Sequence, residues 1–235
     1  MNTNLTEIAF ILDRSGSMSS LVQETLAGFN AFLRDQQALP GLARLSLVLF
    51  DDRYEVPIKS QPVAEIPLLD ERVYTTRGST ALLDAIARTI DDLGARLADT
   101  PESERPGKVI IAILTDGQEN ASQHFNIKDV NKRISHQQEK YAWDFLFLGA
   151  NQDAISTAAQ MGIFASNSAT FSASSEGTLA SHSSLSRKAK AMRMQSMKMA
   201  DEECVKDLAM SASEILREEE EKMRKAKERR ARDGK

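Results

Sequence analysis

The sequence predicts an α/β fold, a mostly parallel sheet with helices on both faces. Continuous apolar runs that suit buried strands alternate with amphipathic segments that suit helices, which is typical of a parallel sheet covered on both sides. At 235 residues, with 41% hydrophobic and 27% charged residues, the chain has room for one large domain and an appendage. The composition becomes highly charged from Arg187 onward. We therefore expect a domain at residues 1–186 and a charged helical extension at residues 187–235.

The first half of the chain supplies three predicted strands and two helices. An apolar run at residues 7–13 indicates a buried strand, and a helical spacing of apolar residues follows it. The apolar segments 45–50 and 54–58 are joined by a link too short for a crossover, so they should pair as an antiparallel hairpin at a sheet edge. A second helix should open after Gly78-Ser79-Thr80.

The second half alternates strands and helices before the charged tail. We expect strands at 109–114, 143–148 and 163–164, with helices near 127–134 and 154–161 and a last domain helix from Ser174 or Ser175. If residues 201–235 were one helix, it would reach roughly 50 Å. Its apolar stripe could dock onto the domain, form a coiled coil or contact another protein, or the segment could be a solvated, partly frayed charged helix. The stripe consists of Val205, Leu208, Ala212 and Ile215.

Composition narrows the functional classes. The net charge of −4 makes nucleic acid an unlikely partner and gives no footprint for an anionic membrane. No apolar stretch is long enough to cross a bilayer. Cys204 is the single cysteine, so an internal disulfide framework is excluded and a reducing compartment fits. We expect a cytoplasmic protein.

Oxygen-bearing side chains end three separate segments of the predicted sheet. Asp13, Ser15 and Ser17 follow the first strand, Thr80 precedes the second long helix, and Asp116 follows the strand at 109–114. Each group alone could be an ordinary turn or helix cap. Ligands of such sheets bind outside the carboxyl ends of the strands, where these segments should meet. Oxygen-only ligation suits a hard cation, Mg²⁺ or else Mn²⁺ or Ca²⁺.

These residues resemble a known motif. Asp13-x-Ser15-x-Ser17 with Thr80 and Asp116 is similar to the complete metal-ion-dependent adhesion site (MIDAS) of von Willebrand factor type A domains. The surrounding residues, with segments 147–151 and 175–178, resemble bacterial intracellular members. The resemblance implies a doubly wound, Rossmann-like sheet of six strands in the order 3-2-1-4-5-6. It also implies that the serine hydroxyls ligate the metal directly and that an open position takes a carboxylate from a partner protein.

The sequence thus predicts a metal-dependent protein-binding module and not an enzyme. The resemblance implies an acidic partner protein, such as an AAA-type ATPase or a stress-response complex. Two alternatives stay open: a scaffold that self-associates through its tail and holds a structural metal, and a Mg²⁺-dependent hydrolase. No His or Lys accompanies the motif to transfer protons, which disfavours the hydrolase. Arg77, Glu119 and Asn120 should be rim residues, solvated or tuning partner choice.

Overall fold

Six strands form a single mixed sheet. The structure, a computed structural model, describes residues 1–150 and 154–233, with side chains up to residue 229. The strands are β1 (Asn2–Asp13), β2 (Leu42–Phe50), β3 (Tyr54–Pro62), β4 (Pro106–Thr115), β5 (Asp144–Gly149) and β6 (Ser168–Thr170). Their order is β3-β2-β1-β4-β5-β6, and only β3 runs antiparallel to its neighbour. The predicted fold class and strand order are therefore confirmed.

Helices cover both faces of the sheet. They are α1 (Val22–Ala38), α2 (Leu82–Asp99), α3 (Ile127–Tyr141), α4 (Ala154–Gln160), α5 (Ser175–Ser196), α6 (Glu202–Ala209) and α7 (Ala212–Asp233). Helices α1, α5 and α7 share one hydrophobic cluster with the sheet, and α2, α3 and α4 share the other. Within the described part of the chain, none of the helices has the length and apolar character needed to span a membrane.

The central strand β1 divides its side chains between the two clusters. Ile8, Phe10 and Leu12 join the cluster of α1 and α5, whereas Ala9 and Ile11 join that of α2 and α3. Successive side chains of a strand point to opposite faces, so a strand buried on both sides needs an unbroken apolar run. The apolar run ends at Leu12, and the strand closes with Asp13, a charged residue that is still buried.

One predicted strand was misplaced. Residues 163–164 lie in a loop, where Ile163 packs into the core and Phe164 is 63% exposed. The sixth strand lies instead at Ser168–Thr170, which pairs in parallel with β5. This strand has only three residues, Ser-Ala-Thr, so no apolar run marks it in the sequence. The predicted strand followed the more hydrophobic residues nearby.

The charged extension packs against the domain. The predicted boundary between residues 186 and 187 falls inside α5, which continues to Ser196. The later segment is two helices, because the chain is extended at Met210 between α6 and α7. Ala212 and Leu216 of α7 are buried in the cluster of α1 and α5, and Ile215 is also buried. The described part of the tail therefore does not form one continuous helix, and the start of α7 docks onto the domain.

Candidate metal centre

The first strand ends in a buried carboxylate that shapes the loop after it. Asp13 is fully buried, and its Oδ1 accepts a hydrogen bond of 2.7 Å from the backbone N–H of Ser15. The turn expected of an Asp two residues before a Ser is thus present. Its other oxygen, Oδ2, accepts a 2.5 Å hydrogen bond from Thr115 Oγ1. The Asp13 carboxylate is therefore held by β4 as well as by its own loop.

A chain of oxygen atoms links the first loop to the end of β4. Ser15 Oγ lies 3.0 Å from Ser17 Oγ, and Ser17 Oγ donates a 2.5 Å hydrogen bond to Asp116 Oδ1. Ser15 is buried and Ser17 is exposed. Residues that are 99 positions apart in sequence thus meet directly at the carboxyl edge of the sheet.

Thr80 reaches the same place from the other side. Thr80 Oγ1 and Asp13 Oδ2 lie 2.6 Å and 3.3 Å from the point that a Cβ on Gly117 would occupy. Both oxygens therefore border Gly117, and a side chain at position 117 would collide with Thr80. All five predicted residues converge on one small region, with Thr80 and Asp116 contributed by loops that follow different elements.

The loop that carries Thr80 is fastened to the loop after β4. Thr80 N–H donates to Asn120 Oδ1 at 2.9 Å, and Asn120 N–H donates to the Thr80 carbonyl at 3.0 Å. Glu119 accepts from Leu83 N–H at 2.9 Å, so its carboxylate satisfies the uncapped start of α2. Neither Ser79 nor Thr80 caps this helix, whose N-cap is Ala81. Glu119 and Asn120 thus fix the geometry of the site.

A tyrosine that the sequence analysis overlooked also holds the centre in place. Tyr74 is buried, and its hydroxyl donates a 2.7 Å hydrogen bond to the carbonyl of Asp13. It sits in the irregular segment between β3 and α2, where no periodic pattern marks it. Thr115 was overlooked for a different reason, since it reads as the last residue of an apolar strand.

The two carboxylates are incompletely compensated by protein groups. Burial raises the pKa of Asp13 to about 6, hydrogen bonds from Thr115 and Ser15 oppose the rise, and the negative charge of Asp116 adds to it. Burial likewise raises the pKa of Asp116, against a hydrogen bond from Ser17. A cation placed between these groups would favour their ionised forms. The electrostatics fit a bound metal.

The donor set also restricts the kind of metal that fits. In the stretches that the structure covers, no group of three or more His, Cys, Asp or Glu side chains is placed to hold a metal ion. A metal at this edge would therefore rely on hydroxyl oxygens in addition to two carboxylates. Oxygen donors of this kind suit Mg²⁺, Mn²⁺ or Ca²⁺, with water filling the remaining positions.

Comparison with known proteins gives a structural likeness without a sequence match. No protein-family model matches the chain, and no curated protein is detectably similar in sequence. Proximal thread matrix protein 1 from the mussel byssus, solved with a zinc occupied MIDAS motif, has a TM-score of 0.53 at 17% identity, over 79% of this chain and 46% of that one. The manganese-loaded TRAP protein of Plasmodium vivax has a TM-score of 0.51 at 14% identity, over 73% and 70%.

A third structure carries the fold name itself. The von Willebrand factor type A protein from Catenulispora acidiphila has a TM-score of 0.52 at 15% identity, over 79% of this chain and 42% of that one. The chain thus spans less than half the length of the mussel and Catenulispora proteins. These likenesses define a Rossmann-like α/β protein with five parallel strands and one antiparallel strand. More narrowly, the chain has the fold of von Willebrand factor type A domains. Asn151, part of one segment on which the bacterial resemblance was based, lies outside the described residues.

Proposed function

We propose that this chain is a metal-dependent protein-binding module. One divalent cation at the carboxyl edge of the sheet is held by Asp13, Ser15, Ser17, Thr80 and Asp116. The observation that carries the proposal is the convergence of these five oxygen-bearing side chains from three distant segments, in an edge where the sheet topology favours ligand binding. The metals named for the mussel and Plasmodium structures, zinc and manganese, support a divalent cation on this fold.

The donor set indicates what completes the site. Two carboxylates formally balance a cation of charge +2, but five protein oxygens leave a position of the octahedral Mg²⁺ shell open on the side where Ser17 faces solvent. An Asp or Glu carboxylate of a partner protein takes this open position. Mg²⁺ is the metal that we expect in the cell, because it retains exchangeable waters that such a carboxylate can displace.

The wider setting follows from the resemblance and the composition. An AAA-type ATPase or a stress-response complex is the kind of partner that the bacterial resemblance favours. The single cysteine, Cys204, is buried and suits the cytoplasm. Catalysis is not part of the proposal, because the Ser15 and Ser17 hydroxyls serve as ligands and are not free nucleophiles. Burial of Ala212 and Ile215 leaves less of the tail's apolar stripe for self-association.

Scanning calorimetry with and without Mg²⁺ tests the site. A ligand at 100 times its Kd stabilises the native state by about 2.7 kcal/mol, which the wild type should show and Asp116→Ala should lose.

A matched pair of glycine variants sharpens the test. Gly117→Ala places a methyl group 2.6 Å from Thr80 Oγ1, whereas Gly16→Ala in the same edge meets only a backbone oxygen at 3.4 Å. Only the former should weaken Mg²⁺ binding.

The partner is tested by affinity capture in Mg²⁺ and in chelator. Proteins retained by the wild type in Mg²⁺ should be lost in chelator and from Asp116→Ala. Equal Mg²⁺ affinity of wild type and Asp116→Ala would show that the metal site is assigned to the wrong residues. Capture of the same proteins in chelator would refute metal-dependent binding even if Mg²⁺ itself binds.

A further inference from the structure

An ion cluster of four residues lies beside the metal centre. Its members are two arginines and two carboxylates. Arg14 lies in the loop after β1, which carries the two serines and is called the serine loop below. Asp51 lies in the β2–β3 turn, Glu55 in β3, and Arg77 in the loop before Thr80. Arg14 NH1 donates to Glu55 Oε2 at 2.9 Å, while its Nε and NH2 make ion-pair contacts of 3.0 Å with Asp51 and 2.8 Å with Glu55. Arg77 binds the same two carboxylates, at 2.7 Å to Asp51 and 2.5 Å to Glu55.

Arg14 ties its own loop to both neighbouring segments through the backbone as well. Its N–H donates to the Phe50 carbonyl and its carbonyl accepts from Arg77 N–H, each at 2.9 Å. Arg14 is the residue between Asp13 and Ser15, so every contact that it makes fixes the backbone from which the serine oxygens project. Its side chain is only 2% exposed, and its guanidinium contacts Asp51 and Glu55 of the cluster.

Asp51 fastens the segment that carries Thr80 at two points. Its carboxylate binds Arg77 at the beginning of that segment, and its carbonyl accepts a 2.9 Å hydrogen bond from Ala81 N–H at the end. The serine loop also contacts this segment directly, since Gly16 N–H donates to the Gly78 carbonyl at 3.1 Å. The cluster therefore sets the position of Thr80 relative to Ser15 and Ser17.

We propose that Arg14 is a positioning residue of the metal centre: by binding Asp51 and Glu55 it holds the serine loop and the Thr80 segment at the separation that metal binding requires. This inference rests on the proposed function. None of the four cluster residues is a predicted ligand, so the role is to orient oxygens that other residues supply. Outer residues that orient metal ligands typically change affinity by about 10- to 100-fold when they are replaced.

The chemistry of the cluster explains why an arginine occupies this position. Its planar guanidinium contacts two carboxylates at once, which the point charge of a lysine does not reproduce. Asp51 is fully buried, so loss of Arg14 leaves that carboxylate with Arg77 as its remaining ion-pair partner among the described residues. The pKa of Glu55 is held at about 2 by hydrogen bonds from Arg14 and Arg77, so this carboxylate stays ionised throughout the pH range of ordinary assays.

The test compares two arginines of ion clusters in the full-length chain: the buried Arg14, beside the candidate metal centre, and the partly buried Arg187, outside it. Arg14→Gln removes the cluster described here. Arg187→Gln is the matched control. Arg187 lies in the middle of α5, is 16% exposed, and binds Asp207 of α6 and Glu218 and Glu219 of α7. Mn²⁺ affinity is measured by electron paramagnetic resonance, and amide hydrogen exchange is measured on the metal-free proteins.

We expect Arg14→Gln to bind Mn²⁺ at least about tenfold more weakly than wild type and to exchange faster at residues 13–18 and 77–81. Arg14→Lys should recover part of the Mn²⁺ affinity. Arg187→Gln should keep Mn²⁺ affinity within about twofold of wild type, even if it lowers the free energy of unfolding as much as Arg14→Gln does. Unchanged Mn²⁺ affinity in Arg14→Gln, or an equal loss in Arg187→Gln, overturns the inference. If the wild type itself does not bind Mn²⁺, the proposed function is overturned instead. The two failures are distinguishable, because the wild-type measurement alone tests the metal site and the variants test the role of Arg14.

Discussion

The two faces of the sheet are packed by different chemistry. The face covered by α2 and α3 is an almost wholly aliphatic and aromatic cluster, with Ile86, Ile90 and Ile134 at its centre. On the other face, α1 and α5 contribute many buried polar side chains. They include Thr25, Gln36, Thr178, Ser181, His182, Ser184, Ser186, Lys188 and Arg193.

The polar interface is held by specific contacts. Arg193 NH1 donates to the Gln36 carbonyl at 2.8 Å and so satisfies a carbonyl near the end of α1, with its positive charge at the negative end of the helix dipole. His182 stacks on the ring of Phe10 with 5.9 Å between centroids, and Gly28 on α1 leaves room for the imidazole. The comparison teaches that one face depends on filled volume and the other on geometry and protonation.

We expect the largest loss of stability from a cavity in the face covered by α2 and α3. Ile86→Ala should lower the free energy of unfolding by about 2–5 kcal/mol, because it leaves a cavity in a fully buried cluster. Urea unfolding at neutral pH measures the change. A loss below about 1 kcal/mol would mean that this face collapses around the cavity, and that filled volume is not what stabilises it.

Acid should act on the polar face through His182. Burial lowers the pKa of His182 from 6.5 to about 4, partly opposed by the hydrogen bond with the Thr178 carbonyl. Between pH 6.5 and 4, His182 is protonated in the unfolded chain but stays neutral in the native state. Its contribution to the free energy of unfolding is therefore fully present above pH 6.5 and is lost as the pH drops. The loss approaches about 3 kcal/mol at pH 4.

His182→Phe isolates this contribution, since Asp13, with its raised pKa, stabilises the native state in the opposite direction as the pH falls from 6. Urea unfolding of both proteins at pH 7.0, 5.5 and 4.5 measures it. Parallel pH profiles for wild type and variant would exclude His182 as the titrating group.

A smaller effect compares two helical glycines, one on each face. Gly28→Ala places a Cβ 2.6 Å from the ring of His182 and should cost about 1–3 kcal/mol. Gly94→Ala in α2 meets only a side-chain nitrogen at 3.5 Å and should stabilise by about 0.5–1 kcal/mol, because alanine favours the helix. Thermal unfolding of the pair measures both. Stabilisation by Gly28→Ala would show that α1 and α5 separate easily.

The fold was largely predictable because its strands are buried on both faces. An unbroken apolar run such as that of β4 marks a central parallel strand, and the short link between β2 and β3 allows only a hairpin. The pattern failed at β6, which has no apolar run, and at the break between α6 and α7. Met210 ends α6 by adopting an extended backbone, which no Gly or Pro announces in the sequence.

The candidate site was predictable only in part. Asp13, Ser15, Ser17, Thr80 and Asp116 all follow or precede regular elements, so a rule about sheet edges suffices to bring them together. Tyr74, Asn120 and the cluster around Arg14 depend on side-chain contacts between irregular loops, which have no periodicity to recognise. The assignment of the five predicted residues as metal ligands, and of the residues around them as supports, stays a prediction until a metal is titrated.

The start of α2 has a consequence for how the molecule folds. Leu83 N–H is satisfied by Glu119, 36 residues later, and Thr80 N–H by Asn120, 40 residues later. Closing such long loops costs entropy before any contact forms, so these two amides should become protected after the middle of α2, as pulsed hydrogen exchange would show. The carboxyl edge then matures last, and a metal ion has nothing to recognise in the nascent chain until β4 has joined β1.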